Sequence, residues 1–420
     1  MARNFNTIAN DENVQPKISG LQKKAIAVAV VGIALLVVGA ISDSDQFYRS
    51  YLLGYIYWVI ISVGMFALYA LHNVVSGAWG FTIRRFLEAG VRTLPLMLIL
   101  FVPILFGMHS LYEWTHTDVV AKDHILHQKA PYLNETFFII RLVFYFVLWS
   151  GLGFYLMKLN RQIEENRDPS SLGKIQKLSA VTLLLIILSG TFAAVDWMMS
   201  LEPHWFSTIY GILFVSGGAL SGLALTIWLL VKFRGNRPLS DFLVPRIFHD
   251  MGTLLFTLTM FWAYISFSQF IIIWSGNVAE ETPWYAVRMA NEWGTIGWGL
   301  VFLHFALPWV ILLSKKAKRN PQILSAVAIW MLAMRFMDLY WLIAPAHLRS
   351  TFSFHWLDIA APLAVGGIWM AYYCQQLQGK TLMTVWDPRL QDAWHRIGNA
   401  DAADSAYFGD TSSVKEGIHG

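Results

Sequence analysis

The chain has 420 residues, 56% of them hydrophobic and only 14% charged, with a formal net charge of +4. Average globular usage is roughly 25% charged, so there is too little charge to cover the two or three soluble domains that the length would suggest. A mean hydropathy of +0.48 points to lipid as the solvent and to an all-α integral membrane protein.

A helix needs about 20 apolar residues to cross a hydrocarbon core roughly 30 Å thick, and ten such stretches follow along the chain. A polar N-terminal segment, 1–24, leads into a first span at 25–42, which with its outer loop fills 25–50. Val38 and Ala40 make a passable signal-peptide cleavage site, but the polar leader is long and the stretch reads as a span. Spans at 51–76, 93–112, 136–157 and 178–200 follow, then 207–231, 249–274, 293–313 and 322–343, and a tenth at 355–375. Pro95, Pro103 and Pro308 fall inside them and are tolerable where neighbouring helices re-satisfy the freed backbone groups. The tail, 376–420, carries Asp387–Pro388–Arg389–Leu390 and is expected to be a polar extension with little core.

With the N-terminus in the cytoplasm, 24 of the 31 basic residues lie inside and five outside, while Arg141 and Arg335 fall within spans. By the positive-inside rule both termini are cytoplasmic. The pI near 9.0 then reflects topology and lipid headgroups rather than a nucleic-acid partner. Trp114, Trp197, Trp205, Trp274, Trp284, Trp293 and Trp356 fall at outer ends and are expected in an interfacial belt.

Two segments recur. Gln176–Lys177–Leu178–Ser179–Ala180–Val181 opens the fifth span and Gln322–Ile323–Leu324–Ser325–Ala326–Val327 the ninth. Asn134–Glu135 likewise leads into the fourth and Asn291–Glu292 into the eighth. The pattern predicts two copies of a four-helix unit, spans 2–5 (51–200) and 6–9 (207–343), in the same orientation. Spans 1 and 10 (the latter within 344–375) flank them.

The single cysteine, Cys374, excludes a disulfide, a C-x-x-C-H haem site and a four-thiolate iron–sulfur cluster within the chain. P-loop, G-x-G-x-x-G and H-E-x-x-H motifs are missing. His72, His304 and His109 lie at inner, central and outer depths, so no facing pair is predicted to hold b-type haem.

Ionisable groups at mid-span cost about 2.5–3.5 kcal/mol and are candidate functional sites. The second unit holds a ladder of them. His249 and Asp250 start the seventh span at its inner face, His304 lies near the midplane of the eighth, and Arg335 and Asp338 occupy the outer half of the ninth. Arg335 and Asp338, at i and i+3, share a helix face. Histidine titrates near neutrality, so His304 suits a relay in a proton route through Asp338. The plainer account is a neutralised ion pair beside a satisfied core histidine. In the first unit His72 and Asn73 lie in the inner third of the second span, and Arg141 and Asp196 match in depth; His72, Arg141 and Asp196 are further candidates for a proton route, the last two suiting either an interhelical pair or an outer-side proton exit. His355 and Asp358 read as a solvated start to the tenth span, and Glu88 beside Arg84 and Arg85 as a surface turn.

Two four-helix units with flanking helices resemble the NrfD/polysulfide-reductase membrane-anchor family. The stretch Ala194–Val195–Asp196–Trp197–Met198–Met199–Ser200–Leu201–Glu202–Pro203–His204–Trp205–Phe206–Ser207–Thr208–Ile209–Tyr210–Gly211 resembles, more narrowly, the integral subunits of bacterial alternative complex III, a quinol:cytochrome c (or electron-acceptor) oxidoreductase. The modest length and the Asp387–Pro388–Arg389–Leu390 tail are closer to the F-type than to the longer C-type subunit.

The resemblance implies a bacterial inner membrane. It implies as partners a C-type sister subunit, an iron–sulfur protein, multihaem and monohaem cytochromes c and a terminal oxidase. Haem c and iron–sulfur clusters then sit in those partners, menaquinol or another quinol and lipids belong to the complex, and this chain binds no cofactor of its own. In the family the quinol site is attributed to the C-type subunit, and the F-type contributes to proton movement or architecture. A quinone pocket at the outer side of this chain would use Asp196 and His204, joined by His109. The competing functions are a standalone proton-coupled secondary transporter and a purely structural anchor.

Overall fold

The computed structural model describes residues 14–166, 169–349, 351–383, 387–390 and 393, and these are helical with no strand. Ten helical runs are long and apolar enough to cross a membrane: α1 Val14–Ser42, α2 Ser44–Val75, α3 Ala78–Phe106, α4 Glu135–Asn166, α5 Pro169–Leu201, α6 Tyr210–Phe233, α7 Pro245–Gly276, α8 Asn291–Leu313, α9 Pro321–Leu348 and α10 Leu357–Leu377. Exposed side chains on them, such as Val31, Val147, Phe267 and Phe302, are apolar, as a surface facing lipid requires. The end of the bundle that carries the α2–α3, α4–α5, α6–α7 and α8–α9 connections is called the basic end below, after its sequence.

The core is built on α2 and α6, which are buried on nearly every side. They meet backbone to backbone. A Cβ on Gly64 would lie 1.9 Å from the Gly218 carbonyl oxygen, and one on Gly218 would lie 2.5 Å from that of Ile60. Small residues permit this approach where lipid supplies no hydrophobic drive between helices. Helix α3 packs on α2, α7 and α9 pack on α6, and α5 packs on both, with α4 beside α5 and α8 beside α7 and α9. Helices α1 and α10 pair through Gly32 against Ala364 and Gly367 against Ala29, and α10 meets α2 where Gly366 leaves room for Trp58.

Two helices are irregular, and prolines explain both. Helix α3 is interrupted by turns at Arg92–Thr93 and at Phe101, so that Pro95 and Pro103 fall in the first turn of a new segment, where the missing N–H costs nothing. Tyr51 and Tyr55 of α2 donate to the carbonyls of Leu100 (2.8 Å) and Met97 (3.0 Å) beside the breaks. In α8, Leu300–Ala306 widens into a π-helical turn. Pro308 cannot donate to the carbonyl four residues back, that of His304, and the Leu307 N–H bonds instead to Phe302 O, five residues back. Trp330 of α9 donates to the Leu303 carbonyl of this turn at 2.8 Å.

The helices and tail depart from the hydropathy pattern in four places. Helix α1 begins at Val14 rather than 25, with Val14 and Ile18 of the polar leader buried. Helix α3 begins at Ala78 rather than 93, because Arg84 and Glu88 are paired and buried, so a helical turn that hydropathy reads as loop lies inside the protein. Among the expected belt residues only Trp274 and Trp356 are exposed; Trp114, Trp197, Trp205, Trp284 and Trp293 are buried among other aromatic rings. Finally, the tail is not bare polar chain. Leu382, Met383, Leu390 and Ala393 are buried against the basic end.

Candidate functional site

The π turn of α8 places His304 in the interior between α7, α8 and α9. Its side chain is fully buried and neither ring nitrogen has a hydrogen-bond partner. Trp262 of α7 stands edge-on to it, with ring centroids 4.3 Å apart. The same indole donates from Nε1 to Asp338 Oδ2 at 3.1 Å, so Trp262 touches both titratable groups. Arg335 pairs with that carboxylate through Nη1 and reaches the Leu213 carbonyl of α6 with Nη2 at 3.5 Å. Gly217 makes room for the guanidinium: a Cβ there would lie 2.2 Å from Arg335 Nη2. Further along α7, Gln269 is buried with both amide atoms unpartnered.

A π turn is a rare departure from regular helix that is frequent at functional sites. An imidazole carries one donor and one acceptor in its neutral form, and burial without partners is costly for both. The arrangement is a buried ion pair, an indole bridge and a histidine with spare hydrogen-bonding capacity.

The first group of helices holds a different pair. Arg141 of α4 grips Asp196 of α5 with two bonds, Nε–Oδ2 at 2.8 Å and Nη2–Oδ1 at 2.9 Å. Tyr145 adds a third to Asp196 Oδ2 at 2.8 Å. The guanidinium donates to Tyr132 O and lies 3.8 Å over the Tyr132 ring. Arg141 and Asp196 are thus both engaged.

The other residues named from sequence are spread out. His249 and Asp250 sit beside one another at the basic end of α7, 3.6 Å apart, with Arg246 on Asp250 at 3.3 Å. Thirteen residues of helix, about 20 Å, separate them from Trp262, so the ladder is not joined by direct contact. His204 lies on the opposite surface and pairs with Asp123 at 2.7 Å; it does not meet the buried Asp196. His109 is exposed, 3.5 Å from Glu135. The structure therefore does not assemble Asp196, His204 and His109 into one pocket. Asp358 is buried rather than solvated, accepting from Ser50 (2.6 Å), Gln46 (3.2 Å) and the His355 N–H (2.9 Å). Beside it a cavity of about 20 Å³ is lined by Arg49 and His347, room for one water.

His72 belongs to a cluster at the basic end that the sequence reading missed. Arg84 pairs with Glu88 (3.1 Å), Glu164 (2.8 Å) and Asp387 of the tail (3.1 Å). Arg85 joins Glu88 and Glu164, and Arg389 folds back on Asp387 while reaching Asn160 Oδ1 at 3.3 Å. The i,i+4 spacing of Arg84 and Glu88 was the available signal; the approach of the tail had none. A second overlooked pair, Arg288 and Glu202, closes the opposite end, with the guanidinium 3.7 Å over Trp284.

Burial alone would raise the Asp387 carboxyl, but Arg389 and Arg84 outweigh it and hold it below the ordinary aspartate range. A carboxyl depressed on folding stabilises above its unfolded pKa, and the gain is lost as pH falls through the folded value. The tail is therefore expected to stay docked through neutral and mildly acid pH and to release only as pH falls below the ordinary aspartate range. Limited proteolysis of the tail across that range measures it, and Asp387→Asn is expected to show the acid pattern at pH 7.

Ten long apolar helices enclosing buried ion pairs define an integral, multi-pass helical membrane protein. Comparison with protein-family models and with curated proteins gives no match. Among the described residues no group of three or more His, Cys, Asp or Glu side chains is placed to hold a metal ion.

Proposed function

We propose that this chain is an integral subunit of a respiratory quinol:electron-acceptor oxidoreductase of the alternative complex III type, with both termini cytoplasmic. In this reading it serves as scaffold and as a proton-transfer route through the α6–α9 bundle. It holds no redox centre. Electrons pass from menaquinol or another quinol through a C-type sister subunit, an iron–sulfur protein and cytochromes c, toward a terminal oxidase. The packing of α3 on α2 and of α7 and α9 on α6, on either side of a glycine seam, supports the two-unit reading of the sequence, with α5 packed on both central helices.

The observation that carries the proton route is His304. It is buried beside the Arg335–Asp338 pair, on a widened turn, with two unsatisfied ring nitrogens. Water would satisfy them and would bridge the gap of about 20 Å to His249 and Asp250. Arg335 pairs with the Asp338 carboxylate, His304 takes and gives up the proton, and Trp262 touches both.

The test is the Asp338→Asn variant of the whole complex in liposomes. Electron transfer from quinol is expected to persist while proton delivery slows on the order of 100-fold. Proton transfer at the wild-type rate, with the complex intact, would sink the route.

One observation favours a second reading. Transporters bind substrate at discontinuous helices in matching positions of two repeats, and α3 is broken by turns. Its counterpart in the second unit, α7, is one continuous helix over Pro245–Gly276, which favours the respiratory subunit. Co-purification separates them, since covalent haem in the detergent extract is expected only from the complex.

A further inference from the structure

We propose that His72 is a proton-binding site at the cytoplasmic end of the first bundle, and that Asp387–Leu390 is the lid separating it from cytoplasmic water. It rests on the proton-transfer reading only for the use made of the site; the closure itself stands on geometry.

His72 lies on the last turn of α2 and is fully buried, with Nδ1 and Nε2 both unpartnered. Phe81 stands edge-on at 4.6 Å and Trp79 at 5.8 Å. The backbone of Gly80 presses on the ring so closely that a Cβ would lie 1.9 Å from Nδ1. Around it are further buried polar atoms without partners: Asn73 Nδ2, Ser76 Oγ and Arg389 Nη1. An imidazole needs an acceptor for its N–H and a donor for its lone pair, and water supplies both.

The covering segment is held from two sides. Asp387 Oδ2 accepts from Arg84 Nη1 at 3.1 Å, and Arg389 Nη2 donates to Asn160 Oδ1 at 3.3 Å. Asn160 in turn donates to Asn73 Oδ1 at 3.3 Å and to the Tyr69 hydroxyl at 2.7 Å. The Arg389 guanidinium lies 5.8 Å over the Phe81 ring, whose edge contact with His72 makes it the partition between lid and histidine. The charged groups that act on His72 are Arg389, Arg84 and Asp387, two of them belonging to the lid. Leu390 seats the segment against the bundle. An ionic latch can open without unfolding the helices beneath it.

The test labels histidines with diethyl pyrocarbonate in inside-out membrane vesicles that hold the intact complex, and reads each site by peptide mass spectrometry. In wild type His72 is expected to be protected. In Arg389→Ala and Asp387→Asn, which strand a buried charge, its labelling is expected to rise on the order of 100-fold, with His304 unchanged. If His304 is labelled together with His72, the helices have unfolded, and Leu390→Asp, which leaves every ion pair in place, decides. Wild-type protection of His72 in Leu390→Asp overturns the lid, as does wild-type protection in all three variants. The reagent attacks only neutral imidazole, so the pH dependence of labelling in the open variant titrates the site. A His72 that does not titrate between about pH 5 and 8 overturns the proton-binding half. Asp338→Asn is expected to match wild type at His72, so failure of the route in the second bundle leaves this measurement standing.

Discussion

Replacing Arg141 with methionine is expected to destabilise the protein by about 3–5 kcal/mol, the cost of stranding a buried carboxylate. Asp196 is fully buried and takes two of its bonds from Arg141. Without them the Tyr145 hydroxyl, with that of Tyr132 nearby, remains beside it. The single variant is expected to fall by several degrees in thermal unfolding of the purified complex. The double variant Arg141→Met/Asp196→Leu removes both charges, and is expected to recover most of the loss, since apolar replacement of a buried pair is often neutral. The pair is fully satisfied and touches neither His304 nor Asp338, so a recovered double variant is expected to keep proton transfer. Loss of transfer in a stable double variant would move the route into the first bundle.

The ten spans were legible because each needs only a count of apolar residues, which bilayer thickness converts into a crossing. What hydropathy could not see is charge that folding neutralises. Arg84, Arg85 and Glu88 read as loop, yet their pairing with Glu164 and Asp387 places them inside the protein and starts α3 early. The partner that makes burial affordable lies some 300 residues away in the chain, and no local pattern announces it. The tryptophans failed for a related reason. A tryptophan at a span end suits an interface or a core equally, and Trp197 is packed among Tyr145, Trp149 and Phe214. The second-bundle site was better served. Arg335 and Asp338 announce each other by spacing, and Pro308 four residues after His304 marks where the helix must deform. Trp262, which touches both His304 and Asp338, stands in an apolar run like any other aromatic and gave no signal.

Gly218→Val is expected to be among the most damaging single substitutions, because the seam between α2 and α6 has no side chain that could yield. A Cβ at Gly218 meets the Ile60 carbonyl at 2.5 Å, and one at Gly64 meets the Gly218 carbonyl itself at 1.9 Å. Overpacking where side chains can shift costs about 1–3 kcal/mol; here two backbones would have to separate along the central helices, so the loss is expected to exceed that range. The reference is Gly151→Ala, on a face of α4 where a Cβ has open space, which is expected to stay within about 1 kcal/mol of wild type. Yield of folded protein from membranes and its unfolding midpoint compare the two. The seam also bears on mechanism. If the bundles rocked against each other, as alternating access requires, α2 and α6 would have to slide past this contact, and any Gly64→Ala protein that still folded would lose function. In the proton-transfer reading the bundles stay fixed, and stability and proton delivery are expected to fall together. A folded, assembled Gly64→Ala complex that transfers electrons but moves no protons would therefore favour moving bundles over the fixed route through His304 and Asp338.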